Sequence, residues 1–359
     1  MNGRDEYLLA KYNIYRHISA PIHVDLEITS ACPYRCIFCE SDIPNRRIKS
    51  LDTKKYIYIL DKLAEAGVFR VFLTGGEPLA NPDFPTIYKY AKDIGLAPCV
   101  SSNLYLLNSK LLEKLMDAGL DHIQVSIHGP SYIHDLIVKR PGSYEKVLKN
   151  LEQIKSTGIY VEVACVGIRQ NFAYIPQLIN DIAPTEIDLF RVLRYVPGHR
   201  RNMLNEIPPK YLVLETIPKI FEAAKKNNLE VFIGVPPGLD SPFNLPPEIY
   251  EVIHLLNHFC EAGKYKMTIL PNGDVYPCTL FRNKKEMYCG NILEKEIHEI
   301  WNALPMRKLR EITPENYKGK CYHCPEKWHC YSCRCVAYNL TGILEGEDLT
   351  CYKISQISF

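Results

Sequence analysis

The chain has 359 residues, of which 47% are apolar and 23% are charged, so its composition is that of a folded protein and excludes a disordered tail. Its 43 basic residues nearly balance its 41 acidic ones, and the resulting net charge of +2 suggests neither a nucleic-acid nor a membrane partner. The longest apolar runs have the length of strands, so no transmembrane span is expected. The charged and polar N-terminus carries no secretory signal.

Residues 21–235 alternate between strands and helices. Strands are predicted over 22–29, 69–74, 98–103, 121–129, 159–168 and 186–196, with a short last strand over 229–234. Helices are predicted over 52–67, 82–95, 109–119, 143–158, 172–182 and 211–227. Consecutive βα units with short loops predict a parallel sheet covered by helices, which is either doubly wound or a complete or partial barrel. In a barrel, the chemistry belongs to the loops at the C-terminal ends of the strands.

Three further regions flank this alternating core. Residues 1–20 form a short N-terminal extension, in which we expect no room for a leader-binding domain. Residues 236–259 are rich in proline and are predicted to be a linker. From residue 260 to residue 359 the periodicity weakens and cysteines dominate. We therefore expect a small C-terminal domain that is held by metal rather than by an apolar core of its own.

The 14 cysteines are placed unevenly along the chain. Because nothing indicates secretion, clustered cysteines are better explained by metal binding or catalysis than by disulfides. Cys32, Cys36 and Cys39 directly follow the first predicted strand with the spacing Cys-x3-Cys-x2-Cys. Three thiolates are one short of the four that structural zinc or a saturated cubane takes, so one coordination position would stay open. The alternatives are a zinc site completed by a distant histidine, or cysteines that pack as small apolar residues.

A Cys-x3-Cys-x-aromatic-Cys motif after the first strand resembles that of the radical S-adenosylmethionine (SAM) enzymes. The resemblance implies an α/β fold, a partial (β/α)6 TIM-like barrel, in which Cys32, Cys36 and Cys39 hold a [4Fe–4S] cluster whose open iron binds SAM. Phe38 would pack near the adenine. In this family a low-potential donor supplies one electron, the S–C5′ bond of SAM breaks, and the 5′-deoxyadenosyl radical abstracts a substrate hydrogen.

Further positions match the family's SAM-binding elements in chain order. The resemblance implies that the residues in contact with SAM are Gly75, Gly76, Glu77, Ser102, Asn103, Ser126 and Arg140. Glu77 belongs to a GGEP element, whose carboxylate would receive the ammonium group of SAM. Arg140 either reaches the carboxylate of SAM or only pairs on the surface. His128 stands where the family usually has aspartate.

The string of C-terminal cysteines resembles the SPASM extension, which carries two auxiliary [4Fe–4S] clusters. The resemblance implies an outer cluster on Cys321, Cys324, Cys330 and Cys351. It implies an inner cluster on Cys260 and Cys278, together with Cys333 or Cys335. The inner cluster is then either three-coordinate with an open iron or completed by Cys289. A pair of zinc sites is the alternative, and Cys99 and Cys165 are interpreted as buried strand residues.

The sequence assigns no catalytic residue but offers three candidates. Arg191 and Arg194 lie near the end of the sixth predicted strand, where arginines can bind carboxylates of SAM or substrate. Tyr276, beside Cys278, is a weaker candidate. Thr279 stands where sulfatase-maturing relatives have an aspartate that acts as a base, which argues against formylglycine formation.

Three functions are compatible with these motifs. The first is hydrogen abstraction from a peptide or protein, with formation of a thioether or carbon–carbon crosslink, in the cytoplasm and under anaerobic conditions. That function requires direct substrate binding or a separate leader-recognition protein. The second is maturation of a tetrapyrrole or another cofactor, such as a decarboxylation in which arginines hold propionates. The third is a metal scaffold without catalysis.

Overall fold

One continuous sheet organises the chain. The computed structural model describes residues 18–39, 48–197, 201–234, 236–237, 260–282, 284–330 and 332–354. In chain order, its strands β1 to β10 are His23–Thr29, Arg70–Gly75, Ala97–Ser102, His122–Ser126, Tyr160–Gly167, Leu189–Arg194, Glu230–Ile233, Lys266–Ile269, Asp274–Tyr276 and Gly290–Asn291. Its helices α1 to α11 are Thr53–Glu65, Phe84–Asp93, Ser109–Asp117, Ser131–Val138, Ser143–Lys155, Ile175–Ile182, Lys210–Lys226, Ile297–Trp301, Leu304–Glu311, Lys320–His323 and Arg334–Thr341.

The strand order of the sheet is β10-β9-β8-β1-β2-β3-β4-β5-β6-β7. From β1 to β7 each strand pairs in parallel with the next in sequence, and helices cross over between them. This is the partial barrel that the resemblance predicted, and the short strand expected at 229–234 is present as β7. The C-terminal ends of these strands therefore lie along one edge of the sheet.

Residues of β1 alternate between the two faces of the sheet. Val24, Leu26 and Ile28 are fully buried in the apolar core beneath the helices. Asp25 and Glu27 lie on the opposite face, since successive side chains of a strand point to opposite sides. The inner face of this barrel is therefore polar next to β1, which is unusual for a packed core and typical of a binding chamber.

The C-terminal region continues the barrel sheet rather than standing apart from it. Strand β8 pairs in parallel with β1, and β9 and β10 follow in antiparallel pairing. Met267, Ile269 and Trp301 belong to the same apolar core as the barrel. Neither these strands nor α4 was predicted from the sequence.

A second apolar cluster surrounds the C-terminal cysteines. Its buried members include Phe281, Met287, Leu309, Ile312 and Leu344. The expectation of a domain without an apolar core of its own was therefore wrong. Apolar side chains scattered between the cysteines over some ninety residues meet in space, and no local periodicity reveals this.

Some of the sequence predictions lie outside the described residues. Of the predicted linker over 236–259 only residues 236 and 237 are described, and of the predicted extension over 1–20 only residues 18–20 are described. Within the described ranges, no helix has both the length and the apolar character needed to span a membrane.

Candidate active site

The three-cysteine loop, residues 30–39, begins where β1 ends and carries Cys32, Cys36 and Cys39. Two of its N–H groups donate to carbonyl oxygens in the last turn of α4, each at 3.0 Å. The Asn103 side chain donates to the Cys32 sulfur at 3.8 Å. Burial raises the pKa of Cys32 to about 12, so a positively charged centre is needed to hold this sulfur as a thiolate at neutral pH.

Two glycines let the end of β2 approach this loop closely. The N–H groups of Gly76 and Glu77 donate to the carbonyls of Thr29 and Ala31, both at 2.8 Å. A Cβ atom on Gly76 would lie 2.7 Å from the carbonyl carbon of Ala31, and Gly75 has a φ of +130°. The two glycines of the GGEP element are therefore required by packing, and the close approach brings the Glu77 carboxylate beside the cysteines.

Glu77 is 1% exposed and accepts three hydrogen bonds. Its Oε1 accepts from the Leu79 N–H at 3.0 Å and from the Ser102 hydroxyl at 2.6 Å, and its Oε2 accepts from the Asn103 N–H at 2.7 Å. Burial raises its pKa to about 7 in spite of these bonds. A carboxylate offers roughly four acceptor positions, so one remains for a further donor such as an ammonium group.

A cavity of about 620 Å³ joins these groups at the C-terminal edge of the barrel. The residues predicted to bind the first cluster or SAM that line it are Cys32, Cys36, Cys39, Phe38, Gly75, Gly76, Glu77, Ser102, Asn103 and Ser126. The sequence separates these residues by up to 94 positions, and the parallel sheet brings them together because strands β1 to β4 all end at this edge.

His128 also lines the cavity, in the place where the family usually has aspartate. Its ring lies edge-on to that of Phe38, with 4.7 Å between the ring centroids. Burial lowers its pKa well below the ordinary value, so the ring is neutral at neutral pH. The Val166 N–H donates to its Nδ1 at 3.3 Å, which leaves the ring proton on Nε2.

Three of the residues predicted to contact SAM or to act in catalysis are not among those lining this cavity. The Arg140 guanidinium donates to the Pro33 carbonyl at 2.9 Å and lies 4.2 Å from the centre of the Tyr105 ring. Because Pro33 belongs to the three-cysteine loop, Arg140 stabilises that loop. Arg191 forms an ion pair with Glu162 at 2.6 Å, deeper in the barrel. Tyr276 lies in β9 and packs against the second apolar cluster.

Arg194 does line the cavity, but its guanidinium forms an ion pair with a carboxylate of the protein. Its Nη2 pairs with Asp348 at 2.9 Å and also contacts the Thr350 hydroxyl. Asp348 is fully buried and accepts a further bond from the Cys333 N–H at 2.8 Å. Arg194 thus connects the cavity wall to the segment that carries the C-terminal cysteines.

Of the cavity wall that the C-terminal region supplies, sequence reasoning singled out Thr279 but missed Lys266 and Leu280. Lys266 of β8 lines it and pairs with Asp25 at 3.0 Å, while Thr279 and Leu280 line it directly after Cys278. The signal for Lys266 was a lysine at the start of an apolar run of strand length, which gains meaning only once β8 is placed beside β1.

Four C-terminal cysteines surround a second cavity, of about 220 Å³. They are Cys321, Cys324, Cys330 and Cys351, the set expected for an outer cluster. Lys320, Lys327 and Lys353 line the same cavity, so its rim is basic.

The remaining described cysteines fall into two groups. Cys260, Cys278, Cys333 and Cys335 lie together in the second apolar cluster. Cys99, Cys165 and Cys289 stand apart from them, the first two in β3 and β5 and the third in the barrel core. Among the described residues, no three His, Cys, Asp or Glu side chains converge as ligands of a single metal ion.

Comparison with known families identifies the two domains that contain these cysteines. Residues 26–182 match the radical SAM superfamily, and residues 260–325 match the SPASM iron–sulfur cluster-binding domain. The chain carries a radical SAM domain followed by a SPASM domain. The predictions of the family, of the partial barrel and of an enzyme are thereby confirmed, and the scaffold without catalysis is left without support.

Relatives with named activities match this radical SAM protein over nearly its whole length. AdoMet-dependent heme synthase from Methanosarcina barkeri (strain Fusaro / DSM 804) is 28% identical over 93% of this chain and 97% of that protein. PqqA peptide cyclase from Gluconobacter oxydans (strain 621H) is 26% identical over 93% of this chain and 91% of that protein.

Solved structures show the same fold. Crystal structures of SuiB from Streptococcus suis, one bound to the precursor peptide SuiA and one to S-adenosylmethionine, each have a TM-score of 0.75 and 18% identity to this chain. Both cover 97% of this chain, and 79% and 81% of their own. The likeness therefore includes the radical SAM and SPASM domains together.

The residues present fit the two groups that these domains bind, SAM and iron–sulfur clusters. Three cysteine sulfurs are the soft ligands that iron–sulfur clusters take, and one acceptor position of Glu77 remains for an ammonium group. The cavity beside them is lined by the aromatic side chain of Phe38 and by the polar ends of β3 and β4. This donor set matches a ligand that carries an ammonium group and a purine.

Proposed function

We propose that this enzyme cleaves SAM reductively and abstracts hydrogen from a peptide or protein substrate, as a step in forming a crosslink or a related oxidation. One observation carries the proposal. A single cavity has the three-cysteine loop on one wall and Thr279 and Leu280, which directly follow Cys278, on another. A substrate in this cavity lies between the site of radical formation and the cysteines of the SPASM domain, so the electron left after hydrogen abstraction has a nearby acceptor.

The chain's own residues supply binding and positioning in this proposal. Cys32, Cys36 and Cys39 would hold the SAM-binding [4Fe–4S] cluster, which supplies the electron for SAM cleavage when it is bound. Glu77 would receive the ammonium group of SAM, and Phe38 would cover the adenine. The remaining polar contacts would come from Ser102, Asn103 and Ser126, which line the same cavity.

Two relatives support a peptide as the substrate. PqqA peptide cyclase is similar over nine tenths of both chains, and SuiB, which has the same fold, was crystallised with its precursor peptide. The proposal further includes a low-potential electron donor, two auxiliary [4Fe–4S] clusters, a cytoplasmic location, and recognition of the substrate directly or through a separate leader-binding protein.

Tetrapyrrole decarboxylation is the second candidate, because a heme synthase is similar over 97% of its length. It requires cations that can hold propionate groups. Arg191 and Arg194, the two that the sequence offered, are each paired with an internal carboxylate. Displacing Asp348 from the buried pair with Arg194 costs about 3 to 5 kcal/mol. These pairs favour the peptide.

One experiment separates the two candidates. The anaerobically reconstituted enzyme is incubated with SAM and dithionite, together with either the small peptides encoded beside its gene or a tetrapyrrole that carries propionates. We expect 5′-deoxyadenosine together with a peptide that has lost two hydrogen atoms, and no product from the Cys32/Cys36/Cys39→Ala variant. Loss of carbon dioxide from the tetrapyrrole, with the peptides unchanged, would establish the second candidate instead.

A further inference from the structure

The inner group of cysteines forms two thiol pairs. The thiols of Cys260 and Cys333 are hydrogen-bonded to each other, and those of Cys278 and Cys335 form a second such pair. All four belong to the second apolar cluster, and Cys335 is fully buried there. The sequence suggested that only one of Cys333 and Cys335 faces this site, whereas in the structure both do.

The start of α11 explains how two cysteines so close in sequence reach the same place. Cys333 is the N-cap of this helix, with extended backbone angles, and Cys335 is the second residue of its first turn. The backbone direction changes between them, so both side chains can point to one side. The Cys333 N–H is fixed by Asp348 at 2.8 Å, and the Asn339 side chain donates to the Cys335 sulfur at 3.1 Å.

Asn339 indicates that Cys335 acts as a thiolate rather than as an apolar filler. Amide N–H groups directed at sulfur are typical of the surroundings of iron–sulfur ligands, where they stabilise the negative sulfur. Asn339 stands four residues after Cys335 on the same helix, so the two side chains lie on one helix face and the amide reaches the sulfur.

Cys289 is placed where it does not complete this group. It belongs to the barrel core rather than to the second apolar cluster, and its thiol donates to the Met287 carbonyl at 3.4 Å. Burial raises its pKa to about 12. Its surroundings are those of a small core residue with a satisfied thiol.

We propose that Cys333 and Cys335 both ligate the inner auxiliary cluster, together with Cys260 and Cys278, so that this cluster has four thiolate ligands and no open iron. The inference rests on the auxiliary clusters of the proposed function. A cubane with four thiolates has no position for a substrate atom, so the inner cluster accepts or passes electrons and does not bind the substrate.

The test uses the full chain without its first cluster, because that cluster has an open iron of its own. The Cys32/Cys36/Cys39→Ala protein is reconstituted anaerobically, its iron is measured, and it is oxidised with one equivalent of ferricyanide. A [4Fe–4S] cluster with an open iron gives one electron to the ferricyanide, releases one ferrous ion and becomes a [3Fe–4S] cluster, which is detected by electron paramagnetic resonance.

We expect about eight irons per chain, the content of two cubanes, and no [3Fe–4S] signal in this background. Adding Cys335→Ala, or adding Cys333→Ala, should produce about one [3Fe–4S] cluster per chain after oxidation. Adding Cys289→Ala should change nothing. A [3Fe–4S] signal in the background itself, or none after Cys335→Ala, would overturn the proposal. So would about four irons in the background, which would mean that the inner cluster is absent.

A second variant covers a failure of Cys335→Ala to fold. Serine at this position retains an oxygen ligand, so Cys335→Ser should keep the iron and shift the midpoint potential of one cluster, whereas Cys289→Ser should shift none. An unchanged potential in both variants argues against ligation by Cys335. Formation of 5′-deoxyadenosine by the unmodified enzyme is measured in parallel, so that failure of the ligand set and failure of the proposed function are told apart.

Discussion

Glu77 is the residue on which the candidate SAM contacts depend, since its carboxylate joins the ends of β2 and β3 beside the three-cysteine loop. In Glu77→Gln the charge is lost, and an amide group must face either the Ser102 hydroxyl or the Asn103 N–H. Hydrogen bonds to charged groups contribute about 1.5 to 3 kcal/mol, so SAM binding should weaken about tenfold or more. Equilibrium dialysis with SAM measures this, with the exposed Glu113→Gln as the control.

The same carboxyl makes stability depend on pH. Burial raises its pKa to about 7 from an ordinary value of 4.5, so between these values the folded protein keeps a proton that the unfolded chain releases. The contribution of Glu77 to the free energy of unfolding therefore falls as pH rises through this window, by up to about 3 kcal/mol. Urea unfolding at several pH values should show this loss in the wild type and not in Glu77→Gln. Parallel pH profiles for the two proteins would contradict it.

Gly76 is required by close packing rather than by its backbone angles. An added methyl group would press against the Ala31 carbonyl, so Gly76→Ala should destabilise the fold by about 1 to 3 kcal/mol and displace the three-cysteine loop. Iron per chain should then fall at the first site. Gly67→Ala is the matched control, because Gly67 has a positive φ but open space around it. That variant should lose about 1 kcal/mol and keep its iron.

At this scale the sequence identifies the candidate cluster and SAM ligands better than it identifies arginines that bond to other parts of the protein. The cysteines and the GGE element are local motifs, and local motifs can be recognised without a fold. Arg140 and Arg191 could not be placed in this way, because their partners, Pro33 and Glu162, are 107 and 29 residues away. Whether an arginine faces a cavity or an internal carboxylate depends on which strand lies next to it.

At the scale of elements, the end of β6 is tied to the C-terminal cysteine segment by a buried ion pair. Asp348 is fully buried, and Arg194 with neighbouring donors keeps its pKa below the ordinary value although burial opposes this. Asp348→Asn removes the carboxylate charge from this buried pair, so we expect a loss of about 3 to 5 kcal/mol in the free energy of unfolding.

A double-mutant cycle checks that this loss belongs to the pair. Adding Arg194→Met to Asp348→Asn should restore part of the stability, because no uncompensated charge then remains buried. The exposed pair of Lys89 and Asp93 is the control, and Asp93→Asn should cost less than about 1 kcal/mol. Additive effects of the two buried substitutions would show that Arg194 and Asp348 do not act as a pair.

The elements that the sequence did not predict share a physical cause. Helix α4 has apolar Ile133, Ile137 and Val138 on its buried side, but its eight residues are too few for a clear period, and Pro130 and Pro141 bound it closely. Strand β8 has four residues and is recognisable only through its parallel pairing with β1, whose paired residues lie 243 positions earlier in the chain. The longer βα units were predicted because each carries its own apolar period over enough residues to be recognised.

At the scale of the whole molecule, the barrel and the SPASM region share one sheet and one apolar core in the described residues. Lys62 of α1 is buried, and its ammonium group donates to the carbonyls of Ile292 and Lys295 at 3.2 and 2.9 Å. The Trp301 indole donates to the Ile18 carbonyl at 2.9 Å. The candidate active site is also built from both regions, since Lys266 and Thr279 line the same cavity as the barrel residues.

A chain that ends before residue 260 should therefore not fold on its own. Removing β8 exposes the edge of β1, and it uncovers the apolar side chains that pack against Met267, Ile269 and Trp301 in the shared core. We expect the truncated chain to aggregate, as measured by size-exclusion chromatography after expression. The control is the full chain with a protease site introduced between residues 238 and 259, which should remain one particle after cleavage because the two pieces share a sheet. A monomeric, folded truncation would show instead that the barrel does not depend on β8.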